Sequence, residues 1–130
     1  MKSMAELGFV KALTPVLDAP DPTELARFYA EFLGWEISEH SDPTWAMLVP
    51  PGKKRSFLSI QLEPLYVAPT WPSTAEHQQM QIHLDLWVSD LEDAVARAES
   101  CGARVADTQF DEGVRVMVDP EGHLFCLFED

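Results

Sequence analysis

The densest group of reactive side chains lies in QIHLDLWVSD, residues 81–90. Read as a strand, this segment sends successive side chains to opposite faces. His83, Asp85 and Trp87 then share one face, and Ile82, Leu84, Leu86 and Val88 share the other. An imidazole, a carboxylate and an indole side by side could hold a metal ion, move a proton or cradle a flat organic molecule. The bland alternative is a structural His83, hydrogen-bonded to Asp85 or to a backbone carbonyl. In residues 57–63 the same alternation sets Phe57, Ser59 and Gln61 against Leu58, Ile60 and Leu62. Cys126, between Phe125 and Leu127, is either a further donor or a small buried hydrophobe. His123 stands three residues before it, so it falls on the opposite strand face and is expected beneath a helix. His40 and His77 lie in polar loops and read as solvated.

The aromatic side chains add a second clue. Trp45, Phe57, Trp71, Trp87 and Phe128 fall in strand-like or connecting segments rather than on helix stripes. Facing a concavity, they would line a π-rich pocket for a flat or cationic molecule. Packed inward, they would only fill the core. Asp18 and Asp85 could orient a basic group there, and Arg115 is the one basic residue on a candidate pocket strand.

Composition narrows the classes of function. The chain has 130 residues, 46% hydrophobic and 10% aromatic, enough for one folded domain with a real core. Acidic residues outnumber basic ones 22 to 9, for a formal charge of −13. Such a surface repels phosphate backbones and anionic lipid, so neither nucleic acid nor a membrane is an expected partner. No segment approaches the ~18 apolar residues of a membrane span. The start, MKSMAELGFVKAL, is broken by Glu6 and Lys11 before an apolar run develops, so no signal peptide is expected. Cys101 and Cys126 lack CxxC spacing, which argues for reduced thiols in a cytoplasmic protein.

The elements that must position these side chains appear as an internal repeat. Met47, Pro50 and Gly52 recur as Met117, Pro120 and Gly122, each 70 residues on. Asp21 and Asp90 each open a helix-like segment, 69 apart, and Gly34 and Gly102 close them, 68 apart. Asp21-Pro22-Thr23-Glu24 reads as an N-cap, a proline at the first helical position and a capping-box glutamate. Leu25, Phe28, Tyr29, Phe32 and Leu33 then mark one buried helix face, as do Leu91, Ala94, Val95 and Ala98 in the second half. Strand-like runs fall near 10–17, 35–40, 44–49 and 56–63, then 81–88, 103–109, 113–118 and 123–129. Each half therefore reads strand, helix, strand, strand, strand. The expected fold is α+β: two βαβββ modules, about 9–63 and 80–130, joined by a connector at 64–79. Their curled mixed sheets would surround one cavity, with helices outside.

The segments LDAPDPTELARFYAEFLGWEI, PLYVAPTWP, QMQIHLDLWVSDLEDAVARAESCGA and DPEGHLFCLFED cover nearly the whole chain. Together they resemble the vicinal oxygen chelate superfamily, and within it the glyoxalase-like bacterial branch. The superfamily includes glyoxalase I, extradiol dioxygenases, fosfomycin-modifying enzymes and bleomycin-binding resistance proteins. The resemblance implies a homodimer. It also implies one metal ligand from the first and one from the last strand of each module, at Thr14, Gln61, His83 and Cys126 in this chain. None of the four is a carboxylate, which departs from a site for hard octahedral ions and removes a candidate general base at each of those positions.

Two readings follow. The first is a glyoxalase-like protein that sequesters an organic or antibiotic-like molecule without chemistry and without a resident cofactor. Its candidate ligand-binding residues are Thr14, Asp18, Trp45, Phe57, Ser59, Gln61, Trp71, His83, Asp85, Trp87, Cys126 and Phe128. The alternative is a metal-dependent lyase, isomerase or dioxygenase-type enzyme. It would hold a divalent metal with His83, Gln61 and Cys126, and Asp85 would assist proton transfer.

Overall fold

Among the described residues, ten short elements alternate in two similar halves: β1 (Val16–Ala19), α1 (Pro22–Leu33), β2 (Glu36–Ile37), β3 (Trp45–Val49) and β4 (Leu58–Leu62), then β5 (Leu84–Val88), α2 (Leu91–Cys101), β6 (Arg104–Val105), β7 (Val114–Val118) and β8 (Leu124–Glu129). The computed structural model describes residues 1, 3 and 8–130. Glu6, used above in reading the amino terminus, lies outside the described residues.

Each half forms a four-stranded mixed sheet, in the orders β1-β4-β3-β2 and β5-β8-β7-β6. The first strand of each sheet runs parallel to the last, and the remaining pairs are antiparallel. Neither sheet closes on itself. This is the two-module α+β architecture that the repeat predicts.

The helices form where the capping signals place them. The Asp21 carboxylate accepts from the Glu24 amide at 3.2 Å, and Pro22 sits at the first helical position. Asp90 repeats the device on Asp93 at 2.9 Å. Gly34 and Gly102 end the two helices. The apolar stripe of α1 buries Leu25, Phe28, Tyr29 and Phe32, and that of α2 buries Leu91, Val95 and Ala98. Both stripes meet Leu17, Ala19, Leu48, Ile60, Met117, Phe125 and Leu127 in one shared core. Across the helices, Arg97 of α2 donates to the Phe32 carbonyl at 2.8 Å and to the Glu31 carbonyl at 2.7 Å. It supplies the positive charge that the last turn of α1 lacks.

Several strand boundaries differ from those read in the sequence. The run at 10–17 becomes a strand only at Val16; Phe9, Val10 and Leu13 are exposed. Ile82 precedes β5 and is exposed rather than covered by a helix, and Leu62 is exposed at the end of β4. The expected strands at 35–40 and 103–109 shrink to two residues each. Apolar alternation marks a strand's character, but its length depends on how far a hydrogen-bonding partner runs alongside.

A second apolar cluster lies on the other face of the second sheet, away from the helices. Ala106, Val114, Val116, Val118, Leu124 and Cys126 form it, and Trp71 of the connector packs on it with Met80 and Phe128 of the second module. The connector is pinned there by the Trp71 indole N–H, which donates to the Thr108 carbonyl at 3.0 Å. Among the described residues, no helix is long and apolar enough to cross a membrane.

Candidate functional site

The strand registers decide which side chains share a face. In the second module Asp85 lies opposite Cys126 and Trp87 opposite Phe128. In the first, Val16 lies opposite Ser59, and Asp18 opposite Gln61. Trp45 and Met47 of β3 add to that face, facing Gln61 and Ser59. Because helices cover the opposite faces, these residues form the helix-free faces of the two sheets.

On the second module the three donors come together. His83 Nε2 lies 3.0 Å from Asp85 Oδ1. Donor atoms of His83, Asp85 and Cys126 all lie within 4.8 Å of one another. His83 and Asp85 are open to solvent, whereas Cys126 is buried beneath them. Burial pushes the Cys126 thiol above its ordinary pKa, and the Asp85 charge pushes it further the same way. Next to this group the rings of Trp87 and Phe128 stack at 4.9 Å and 28°. Trp87 is 66% exposed, whereas Phe128 is half-buried and packs against the apolar cluster of β7 and β8, so of the two rings it is Trp87 that meets solvent.

The first module spends its polar groups internally. The Gln61 carboxamide donates to Asp18 at 2.6 Å. Thr14 donates to the Ser56 carbonyl at 3.1 Å, and the buried Ser59 hydroxyl pairs with that of Ser56 at 2.9 Å. The registers also show which positions correspond between modules. Val16 and Asp85 are 69 residues apart, the spacing of the helix-capping aspartates, so Ser59 is the counterpart of Cys126. Gln61 is the counterpart of Phe128. Phe57 is partly exposed, meets Trp35 edge-on at 6.0 Å, and borders a cavity of about 220 Å³ with Tyr29, Leu84 and Asp85. Arg115 lies on the helix-facing side, where it pairs with Glu92 of α2 at 2.8 Å.

His123 is not beneath a helix as expected. It sits at the seam between the modules, with Nδ1 2.8 Å from Asp119 Oδ2 and Nε2 2.8 Å from the Asp18 carbonyl oxygen. Its ring stacks on Tyr66 of the connector at 4.8 Å. Asp119, whose side chain is fully buried, also accepts from the Tyr29 hydroxyl at 2.7 Å. Burial, then the Asp119 charge, holds the Tyr29 phenol well above the ordinary range. Sequence reading missed this group because Tyr29 counted as a helix-stripe residue and Asp119 as a turn residue. The available signal was a histidine just after an Asp-Pro-x-Gly turn.

The donor set can be tested against the metal that the fold class implies. Imidazole, carboxylate and thiol suit a borderline-soft ion such as zinc, in a three-ligand site with one position left open. They do not suit a hard ion that needs an octahedron of oxygens. A metal at Cys126 would also have to displace a proton held more tightly than usual.

Two modules, each strand-helix-strand-strand-strand with a mixed four-stranded sheet, are the architecture of the vicinal oxygen chelate class. Residues 14–128 match the glyoxalase-like domain family, and the chain belongs to it. Solved structures of similar fold include a glyoxalase/bleomycin resistance protein/dioxygenase family enzyme from Burkholderia phytofirmans PsJN, with 17% identity over 88% of this chain and 94% of that one and a TM-score of 0.63. A glyoxalase/bleomycin resistance protein from Albidiferax ferrireducens T118 shares 16% identity over 91% and 98%, with a TM-score of 0.60. A bleomycin resistance determinant encoded on transposon Tn5 shares 21% over 93% and 98%, with a TM-score of 0.58. At these identities the likeness is one of fold. No curated protein matches the sequence significantly.

Proposed function

We propose that this chain is a small-molecule binding protein of the glyoxalase-like family that sequesters a flat, positively charged organic molecule on the helix-free face of its second module. The observation that carries this reading is the solvent-exposed Trp87 ring, backed by Phe128, beside Asp85 and His83. A π face adjoining a carboxylate attracts a cation, and a ring that is largely solvated adds little to the core. The charge of −13 favours the approach of a cation, and the one arginine of β7 is engaged on the other face. The likeness to a bleomycin resistance determinant supports an organic ligand. In this reading the protein works in the cytoplasm as a homodimer, a state that sedimentation velocity tests.

The test is titration with ethidium, a flat organic cation, and with metal-free bleomycin, followed by tryptophan fluorescence. Trp87→Ala should weaken binding by about fivefold or more, the equivalent of one cation–π contact near 1 kcal/mol. His83→Ala should retain most of the affinity. Failure of both probes to bind, or binding indifferent to Trp87→Ala, rejects the reading.

The convergence of His83, Asp85 and Cys126 favours a second reading, a divalent metal centre. A bound ion would supply Lewis-acid polarisation of a substrate oxygen, as a lyase or dioxygenase-type enzyme requires. Zinc at a hundred times its dissociation constant should then stabilise metal-stripped protein by ~2.7 kcal/mol. For a chain of this length that is a rise in Tm of roughly 10 °C. The rise should vanish in His83→Ala; no rise with zinc removes this reading.

A further inference from the structure

The loop from β3 to β4 carries Lys53, Lys54 and Arg55 in succession, three of the nine basic residues in a chain of charge −13. All three are exposed. Elsewhere the cations are engaged: Arg27 and Arg115 pair with glutamates, and Arg97 donates to two carbonyls. Among the described residues, the side chains of Lys53, Lys54 and Arg55 meet neither a carboxylate nor a carbonyl. Even Glu36, which lies opposite Val49 just before this loop, forms no ion pair with them. A basic loop alone would be no more than a solvated turn. This one ends at a cavity.

The cavity is the apolar one of about 220 Å³ that Phe57 borders. Tyr29 and Leu33 of α1 form one wall, Phe57 and Leu58 at the entry to β4 a second, and Leu84 and Leu86 of β5 a third. Its polar neighbours are occupied elsewhere. The Tyr29 hydroxyl donates to Asp119, and the Asp85 carboxylate lies with His83 on the helix-free face. A cavity walled by carbon holds water poorly, and one of about 150 Å³ already admits a benzene ring. Phe57 is 47% exposed at the rim, edge-on to Trp35. The rim is held in place: Thr14 donates to the Ser56 carbonyl, the Ser56 hydroxyl to the Leu58 carbonyl, and the Phe57 amide to the Leu48 carbonyl. Arg55 stands two residues before Phe57, about 7 Å of extended chain, which an arginine side chain covers.

We infer that this cavity is a second binding site, for a small organic anion: an apolar body enters between α1 and β5, and its carboxylate or sulfonate meets Lys53, Lys54 and Arg55. The site is separate from the helix-free face around Trp87 and takes a ligand of opposite charge. Asp85 belongs to the β5 wall, so the anionic end lies on the β4 side, toward the basic loop. Carboxylates more than about 8 Å away are largely screened at physiological ionic strength, so the local triplet outweighs the net charge. Apolar burial supplies the affinity, and the cations select the charge.

The test is a fluorescence titration of the full chain with two probes. Anilinonaphthalene sulfonate is an apolar body with one sulfonate, and phenylnaphthylamine is the same body without it. The native chain should bind the sulfonate saturably, at one site per chain. Lys53→Gln, Lys54→Gln and Arg55→Gln together should weaken the sulfonate by about tenfold or more, the loss of charge-assisted hydrogen bonds, and leave the neutral probe within about twofold. Phe57→Ala should weaken both probes by about threefold or more, because it removes part of a wall. All four side chains are exposed, so these variants should keep the fold, which near-ultraviolet circular dichroism checks. A salt series on the native chain reads the charge dependence without any substitution. Raising salt from about 0.05 to about 0.5 M should weaken the sulfonate and spare the neutral probe. Absence of saturable binding, sulfonate binding indifferent to salt or to the three glutamines, or binding indifferent to Phe57→Ala overturns the site.

Discussion

Gly52 and Gly122 occupy the same place in the two turns, 70 residues apart, yet alanine should cost far more at one than at the other. Both have positive φ, +76° and +97°. An alanine pays for that conformation at either site, about 1–2 kcal/mol, partly offset because alanine reduces the freedom of the unfolded chain. The net cost at Gly52 is ~1 kcal/mol, since a Cβ there meets nothing within 4 Å. At Gly122 a Cβ would lie 2.5 Å from the Cβ of Ala68, an atom fixed to the connector backbone. Overpacking of this kind adds ~1–3 kcal/mol. With an unfolding entropy of roughly 0.27 kcal/mol/K for a chain this long, Gly52→Ala should lower Tm by ~4 °C, and Gly122→Ala by a further 4–11 °C. Thermal unfolding followed by circular dichroism measures both. Ala68→Gly in the Gly122→Ala background removes the clashing atom and should recover the additional loss. Equal costs at the two glycines, or no recovery with Ala68→Gly, would refute the close contact between connector and turn.

Arg97→Ala should destabilise the fold by ~1–2 kcal/mol, because two carbonyls at the end of α1 lose a charged donor. Urea titration should show a lower midpoint at an unchanged m-value, and Arg97→Lys, which lacks the fork, should recover only part of it. Alkylation by iodoacetamide should label Cys126 slowly and accelerate only above the ordinary thiol range, since burial and the Asp85 charge both raise its pKa. Asp85→Asn removes the second influence and should move that rise in rate to lower pH, read by mass spectrometry of the labelled peptide. An unmoved profile would separate Asp85 from the thiol.

Local features were legible in the amino-acid sequence because they depend on neighbours close along the chain. Asp21 and Asp90 cap helices through amides three residues away, the apolar stripes repeat at helical spacing, and turns recur at a fixed separation. From these the two-module α+β fold follows, as does the grouping of His83, Asp85 and Trp87 on one strand face. Register between strands is a different matter. It set Cys126 beside Asp85 and Phe128 on Trp87, and it gave Gln61 to Asp18. Alternation tells which residues share a face of one strand, but not which residue of a second strand lies opposite.

The seam was the least visible part. His123 reaches Asp18 across 105 residues, and Tyr29 reaches Asp119 across 90. Neither pairing has any local signature, because each exists only once two separately patterned modules pack together. Local patterning along the chain is enough to define the modules, their helices and the face each strand offers. Which polar groups those faces bring into contact follows only from packing, since burial removes water and leaves Asp119 and His123 to find partners in the other half of the chain.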